Sequence, residues 1–260
     1  MVSNRKFSLN IYKAGIVIQA RTGSKRFPKK ILYKVNNKTI LEILIDRLLI
    51  YFNKEDIYIA TTTKSQDDII IDIIKKKKVN IFRGSENNVL SRFTECAKKN
   101  NLNKIIRLTS DCPLIDPKLI ITLFKIQLKK KFDYSGNCFP YNERTYPVGS
   151  DLEFINLDFL KKASKYKLSN YEKEHITPFL LKKKFKTYLF KNKVNNSKLR
   201  YTLDHREDLI VIKKIISYLK KKKIFGSTNQ IIKFLRDNNK ITELNNKHVT
   251  SYYFKKLNQL

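Results

Sequence analysis

Glycine and proline are scarce in this chain of 260 residues, six of each, which excludes a collagen-like or low-complexity polymer. Cysteine is scarcer still. Cys96, Cys112 and Cys138 form an odd, scattered set, without the close pairing of a zinc site or the density of a disulfide framework, so they are expected to be reduced thiols in structural roles. No apolar run approaches the roughly 18 to 20 uncharged residues that a membrane span needs. Residues 1–13 contain no continuous apolar stretch ending in a small-residue cleavage site. The expectation is a soluble, cytoplasmic protein. Acidic residues are also few, with 23 Asp plus Glu against 55 Lys plus Arg and a formal net charge of +32.

A surplus of that size ordinarily points to nucleic acid or to an anionic membrane surface. Its make-up points elsewhere. The basic residues are 44 Lys and 11 Arg, whereas a dedicated nucleic-acid module would draw more on the planar arginine fork. Lysine runs at 75–78, 129–131, 182–184 and 220–223 mostly close apolar-periodic segments, where a cation complements the helix dipole and stays solvated. The surplus is therefore read as solvated surface. A basic nucleic-acid-binding protein stays as an alternative, and its binding would fall steeply with salt. Hydrophobic residues at 42% and aromatics at 12% suffice for a sizeable core.

Ala14-Gly-Ile-Val-Ile-Gln-Ala20 is a short apolar run bounded by turn chemistry, the pattern of a strand buried on both faces. A basic loop over 21–30 follows. Thr39 with Glu42 makes a capping box, and Leu41, Ile45 and Leu48 recur at helical spacing to about residue 51. Strands at 57–61, 80–82 and 104–108 then alternate with helices at 65–77 and 88–99. Asp116-Pro117 sets an N-cap and an N1 proline before a helix ending near 129. The second half is less regular: strands at 151–155, 186–190 and 198–203, and helices at 157–166, 171–183, 206–221 and 228–238. The alternation predicts an α/β protein with a mostly parallel, doubly wound central sheet flanked by helices. No repeat or Gly/Ser-rich linker divides the chain. One domain over 13–240 with a substrate-facing insertion is expected, between peripheral tails at 1–12 and 241–260.

In such sheets ligands bind beyond the carboxyl ends of the strands, which singles out the loops at 21–30 and 110–114. Arg21-Thr-Gly-Ser-Lys-Arg-Phe-Pro-Lys-Lys30 offers Gly23 for a tight turn, backbone N–H groups, and the cations Arg21, Lys25, Arg26, Lys29 and Lys30. It could surround a polyphosphate or be a basic surface loop. It has neither the P-loop spacing nor Gly-x-Gly-x-x-Gly, so a dinucleotide fold lacks support. Asp111 follows a strand in a loop stiffened by Pro113 and Pro117; it either caps a neighbouring backbone or is a hard ligand for Mg²⁺ on phosphates. Asp204 would be the second carboxylate, although it and Glu207 could equally be acids favoured by a helix N-terminus. The three histidines, His175, His205 and His248, have no Ser or Cys partner at an elbow motif, which argues against a hydrolytic triad.

The segment Ile18-Gln-Ala-Arg-Thr-Gly-Ser-Lys-Arg-Phe-Pro-Lys-Lys-Ile-Leu32 resembles the opening loop of the cytidylyltransferase family that includes CMP-Kdo and CMP-sialic acid synthetases. It looks most like the spore-coat polysaccharide SpsF-like branch. The likeness continues in order through Ala60-Thr-Thr-Thr63, Phe82-Arg-Gly-Ser85 with Val89-Leu90, and Asp111-Cys-Pro-Leu-Ile-Asp116. It then runs through Arg144-Thr-Tyr-Pro147 with Gly149 and Asp151, Glu174-His-Ile-Thr-Pro178, and Leu203-Asp-His-Arg-Glu-Asp-Leu209. The resemblance implies a Rossmann-like nucleotidyltransferase that couples an NTP, typically CTP, to an acceptor and releases pyrophosphate, with Mg²⁺ as cofactor. It makes Arg21, Lys30 and Asp111 catalytic. Ala20, Arg21, Gly23, Ser24 and Lys30 bind the nucleotide, with Arg83 and Ser85 at base and ribose. Asp111 and Asp204 match metal-binding aspartates, and Arg144, Tyr146, Asp151, Glu174 and His175 fall in acceptor-site segments. A homodimer is implied by the family alone. The expected product is a CMP-activated sugar acid or sugar phosphate for surface polysaccharide; a glycosyltransferase consuming a nucleotide sugar is the enzyme alternative. Three positions depart from the family pattern. Lys29 stands where glycine usually precedes the lysine, Ser110 where glycine commonly precedes the aspartate, and Val148 where an acidic or amide residue is frequent.

Overall fold

In the computed structural model, which describes residues 6–177, 179 and 185–249, the first predicted strand is β1 (Ala14–Gln19), buried almost throughout. A Cβ on Gly15 would lie 2.8 Å from the side chains of Leu102 and Tyr58, so a larger residue on this central strand would have to push those side chains aside. A small hairpin follows, β2 (Lys34–Val35) and β3 (Lys38–Thr39). It is turned by Asn36 and Asn37 at φ 49° and 64°, a left-handed pair that asparagine tolerates in two-residue hairpins. Thr39 then caps α1 (Ile40–Leu49) through the expected capping box with Glu42.

The predicted alternation continues with β4 (Ile57–Thr62), α2 (Asp68–Lys77), β5 (Asn80–Gly84), α3 (Val89–Lys99), β6 (Lys104–Thr109) and α4 (Pro117–Lys130). The side chain of Asp116 caps α4 ahead of Pro117. After it come β7 (Tyr134–Gly136), β8 (Glu153–Asn156), α5 (Leu157–Ala163), α6 (Asn170–His175) and β9 (Thr187–Leu189). The chain then forms α7 (Arg206–Lys222), α8 (Thr228–Arg236) and α9 (Asn239–Glu243). With glycine scarce, lysine ends helices: Lys78, Lys131 and Lys223 close α2, α4 and α7 at φ 54°, 50° and 51°.

Two expectations change. The segment 198–203 forms no strand, only an isolated bridge of Arg200 with Val148, because its backbone groups go to two different loops: Tyr201 N–H to Val148 O and Leu203 N–H to Asp111 O, each at 2.8 Å. The helix expected over 171–183 stops at His175, where Ile176 turns to φ 62°; residues 178 and 180–183 of that prediction lie outside the described residues.

Among the described residues the main sheet has seven strands in the order β5-β4-β1-β6-β8-β7-β9. β5, β4, β1 and β6 are parallel, β8 runs antiparallel to β6 and β7, and β9 is parallel to β7. This is the expected mostly parallel sheet. Its alternation sends Ile16, Ile18, Ile106 and Leu108 into a core with α1, α2 and α4, and Val17, Ala60 and Ile105 into a second core with α3 and α5. A third cluster packs Phe27, from the basic loop, with Leu114, Leu203 and Leu209. Burying that ring contributes about 2 kcal/mol and anchors the loop beside the start of α7. No helix among the described residues is long and apolar enough to cross a membrane.

Candidate active site

The carboxyl ends of β1 and β6 lie side by side, Gln19 registered with Thr109, so the two loops singled out in the sequence leave the sheet together. The first is closed by its own bonds. Thr22 O accepts from the N–H of Ser24 at 2.8 Å and of Lys29 at 3.0 Å, and Ser24 Oγ accepts from Phe27 N–H at 3.3 Å. The Thr22 N–H and hydroxyl both donate to buried Asp67 at 2.7 Å, which also accepts from the Thr62 hydroxyl. Gly23 faces Gln66, whose Nε2 would be 3.2 Å from a Cβ. Lys29 takes φ 54°, so its departure from the family pattern falls on a left-handed residue where glycine would sit without strain.

Lys30 comes next, and its ammonium joins two acids far apart in the chain. Nζ lies 2.7 Å from Asp111 Oδ2 and 2.8 Å from Asp204 Oδ1. Asp111 O accepts from Leu203 N–H at 2.8 Å and from the Thr202 hydroxyl at 3.1 Å, which docks the segment before Asp204 onto the end of β6. Arg26 reaches Asp204 Oδ1 at 2.9 Å. Behind them, Arg200 donates to Asp204 Oδ2 at 3.1 Å and grips Asp208 through two bonds of 2.9 Å. Asp208 accepts from the N–H groups of Asp204 and His205 at the start of α7, and from Asn245, each at 2.8 Å.

Burial alone would push the Asp204 carboxyl up, but the charges of Lys30, Arg26 and Arg200 overturn it and hold the group well below the usual carboxylate range. Burial would likewise lower Lys30, and Asp111 with Asp204 raises it instead. Both partners are therefore locked in their charged forms. Two carboxylates around one cation are hard oxygen donors of the kind that suit Mg²⁺. Among the described residues no group of three or more His, Cys, Asp or Glu is gathered for a metal, so an ion held by Asp111 and Asp204 would take its other ligands from phosphates and water.

Arg21 pairs with Glu174 at 3.0 Å, joining the loop to α6, beside His175, whose ring centroid is 4.5 Å from that of Tyr171. Ala20 is buried, its N–H donating to Ala60 O at 3.3 Å. Arg83 donates to the carbonyls of Thr62 and Lys64 at 2.9 and 3.0 Å and pairs with Asp68 at 2.8 Å. Ser85 Oγ accepts from Asn88 N–H at 3.1 Å in the turn before α3. Arg144 is buried, donating to Tyr146 O at 3.1 Å, Pro147 O at 2.7 Å and Asp151 Oδ1 at 2.5 Å. Tyr146 is buried as well, its ring 5.6 Å from that of Phe190. Their loop turns at Gly149, φ 114°, where a Cβ would come within 2.6 Å of the backbone of Tyr201 and Thr202; only glycine allows that approach to the segment leading to Asp204. The predicted residues thus gather in three groups: Lys30 with Asp111 and Asp204, Arg21 with Glu174, and Arg144 with Asp151.

Sequence reasoning missed the place of Arg26, Arg200, Asp208 and Asn245 around Asp204. Asp208, three residues beyond His205, carries a readable helix-start pattern; Arg200 and Asn245 carry no local signal. It also missed Arg92 and Arg107 on the α3 face of the sheet. Arg107 pairs with Glu153 and donates to Gln19 Oε1 at 3.2 Å, and Glu153 accepts from the Tyr134 hydroxyl at 3.0 Å.

Residues 15–241 match the family model described as Cytidylyltransferase. A solved cytidylyltransferase from Leptospira borgpetersenii superposes with a TM-score of 0.83 at 36% identity, covering 88% of this chain and 96% of that one. The protein MJ1063 of Methanocaldococcus jannaschii is 35% identical over 88% of this chain and 93% of its own. The spore coat polysaccharide biosynthesis protein SpsF of Bacillus subtilis is 32% identical over 63% of this chain and 68% of its own.

Proposed function

Because this chain belongs to the cytidylyltransferase family and is a nucleotidyltransferase, we propose that it moves CMP from CTP to a sugar acid or sugar phosphate, releasing pyrophosphate, for surface polysaccharide assembly. The observation that carries the reading is the Lys30 ammonium held between Asp111 and Asp204 where the β1 and β6 loops meet. The polysaccharide setting draws support from the likeness to SpsF.

On this reading Arg21 and Lys30, with those backbone N–H groups of the 20–29 turn that its own bonds do not use, hold the triphosphate and take up the charge that gathers on the departing pyrophosphate. Arg83 and Ser85 stand at the nucleotide end. Glu174, His175 and the Arg144–Asp151 loop stand at the acceptor end. An acceptor oxygen attacks the α-phosphorus in line as the bond to pyrophosphate breaks, and the chain contributes positioning and charge neutralisation rather than a dedicated side-chain base. Mg²⁺ held by Asp111 and Asp204 would, when bound, supply further neutralisation at the phosphate and acidify the acceptor. Dependence on an NTP puts the reaction in the cytoplasm.

Pyrophosphate release, measured with Mg²⁺ and each common NTP across a panel of sugar acids and sugar phosphates, tests the proposal. The expected result is acceptor-dependent release with CTP that disappears in Asp111→Ala. Silence with every pair, beside tight binding of a nucleotide sugar, would turn the reading to glycosyl transfer.

A further inference from the structure

Arg47 and Arg92 are both buried helix arginines, and burial draws both down to about 10. Their donors fare differently. Arg47 gives its guanidinium to four backbone carbonyls, those of Leu114, Ile115, Phe225 and Gly226. Arg92 makes one such bond, from Nη1 to Ser85 O at 2.6 Å, and its buried Nε and Nη2 have no acceptor among the described residues. Arg107 has the same gap at Nε. Both side chains lie between α3 and the sheet: the Arg107 guanidinium is 5.8 Å from the ring centroid of Phe93 on the helix that carries Arg92. The charges of Arg21 and Arg107 both act on Arg92.

Nearby acids offset this charge without filling the donors. Glu153 is taken by Arg107 and the Tyr134 hydroxyl, and Glu174 by Arg21. Asp67, which acts on Arg92 from a distance, gives its oxygens to Thr22 and Thr62. A buried donor without an acceptor is destabilising, and more so on a charged group, so three such nitrogens on these two arginines mark a place where a ligand belongs.

We infer that Arg92 and Arg107 form the floor of an acid-binding subsite that takes a carboxylate or phosphate group of the acceptor on their unfilled N–H donors. That the ligand is the acceptor rests on the nucleotidyl-transfer reading above. Guanidinium groups only donate, and the partner that satisfies several of them and their charge at once is an anion that only accepts. Arg107 lies on β6 beside β8, and α3, which carries Arg92 from its bond at Ser85, packs against α6 with Glu174 and His175, so the subsite runs from the nucleotide end toward the acceptor end. Arg21, with 29% of its side chain exposed and paired to a Glu174 exposed at 46%, is the surface member of the trio. An ion pair so exposed is easily opened, and that gives the acid its entry.

The test follows thermal unfolding of the full chain in saturating CTP and Mg²⁺, with acetate or inorganic phosphate titrated at constant ionic strength. Wild type, Arg92→Met and Arg92→Lys are compared. Wild type should gain about 2–4 °C over the titration; the better of the two anions identifies the acid. Arg92→Met should show no gain, yet melt no lower than wild type when anion is absent, because it removes unfilled donors. Arg92→Lys should keep part of the gain. A methionine variant that melts well below wild type without anion would show that the guanidinium braces the fold. An equal response in all three proteins, or none in wild type, would equally overturn the subsite. The shift produced by CTP alone reports separately on the nucleotide reading: its absence would sink that reading, while the difference between wild type and Arg92→Met still judges the subsite.

Discussion

Two clusters of buried charge meet the carboxyl edge of the sheet, and they differ in how completely they are bonded. Around Lys30 every strong group has a partner: the ammonium lies between Asp111 and Asp204, and Arg200 fills its fork with Asp204 and Asp208. On the α3 face, acids are again close to arginines, yet Nε and Nη2 of Arg92 and Nε of Arg107 are left without acceptors among the described residues. Balance of charge and satisfaction of hydrogen bonds are therefore separate properties, and only atom-by-atom accounting tells them apart.

The comparison breaks hardest at Asp111. Its side chain is 25% exposed, so Asp111→Asn should leave the melting temperature within about 2 °C while lowering turnover by about 10³-fold; pyrophosphate release near the wild-type rate would remove the two-carboxylate account. Arg200→Met comes next. It strands the fully buried Asp208 and the neighbouring Asp204, and urea unfolding should show a loss of about 3–5 kcal/mol, against no loss for Arg92→Met, which removes unfilled donors. Equal losses at the two arginines would erase the difference between the clusters.

A pH series sharpens the same contrast. Asp204 and Asp208 are both held below the ordinary carboxylate value, burial being outweighed by Lys30, Arg26 and Arg200 for the first and by Arg200 and donated hydrogen bonds for the second. A depressed folded-state value contributes stability that is present above the unfolded value of about 3.9 and is lost as pH falls from there towards the folded value. Lys30, raised in the folded chain, contributes stability that is present below its unfolded value of about 10.4 and is lost as pH rises through the folded one. Urea midpoints should decline below about pH 4 in wild type, and the decline should be shallower in Arg200→Met; parallel curves would exclude the cluster as its source. The smallest effect is expected at Lys29→Gly, which relieves a left-handed lysine and should gain about 0.5–1 kcal/mol, read as a small rise in the urea midpoint.

Local chemistry was legible in the sequence. The β1 strand, the capping box at Thr39 and the Asp116-Pro117 start of α4 each depend on neighbours a few residues apart, and they fall where spacing put them. The loops bearing Lys30 and Asp111 were found because parallel strands end at one edge. What escaped was set by distant segments or by very short ones. β7 has three residues and the β2–β3 hairpin two per strand, too few to show a period, although Asn36-Asn37 was a usable turn signal. Arg107 alternates with Ile106 and Leu108 and so reads as a solvent-facing residue. In a sheet covered on both sides that opposite face is itself a core, and there Arg107 is buried. Arg200 gains its meaning only where three segments meet, and no spacing announces that.

Lys30, seated between its two acids, is a counterion attached to the chain. Bare carboxylates at such an edge would collect mobile cations from solution, and these would have to be shed when a charged ligand arrived. A tethered ammonium cannot diffuse away; it can only turn from one set of oxygens to another within the reach of a single side chain. On the proposed reading, triphosphate capture becomes an exchange among fixed charges, and an exchange that releases few mobile ions responds only weakly to ionic strength, even on a chain whose net charge is +32.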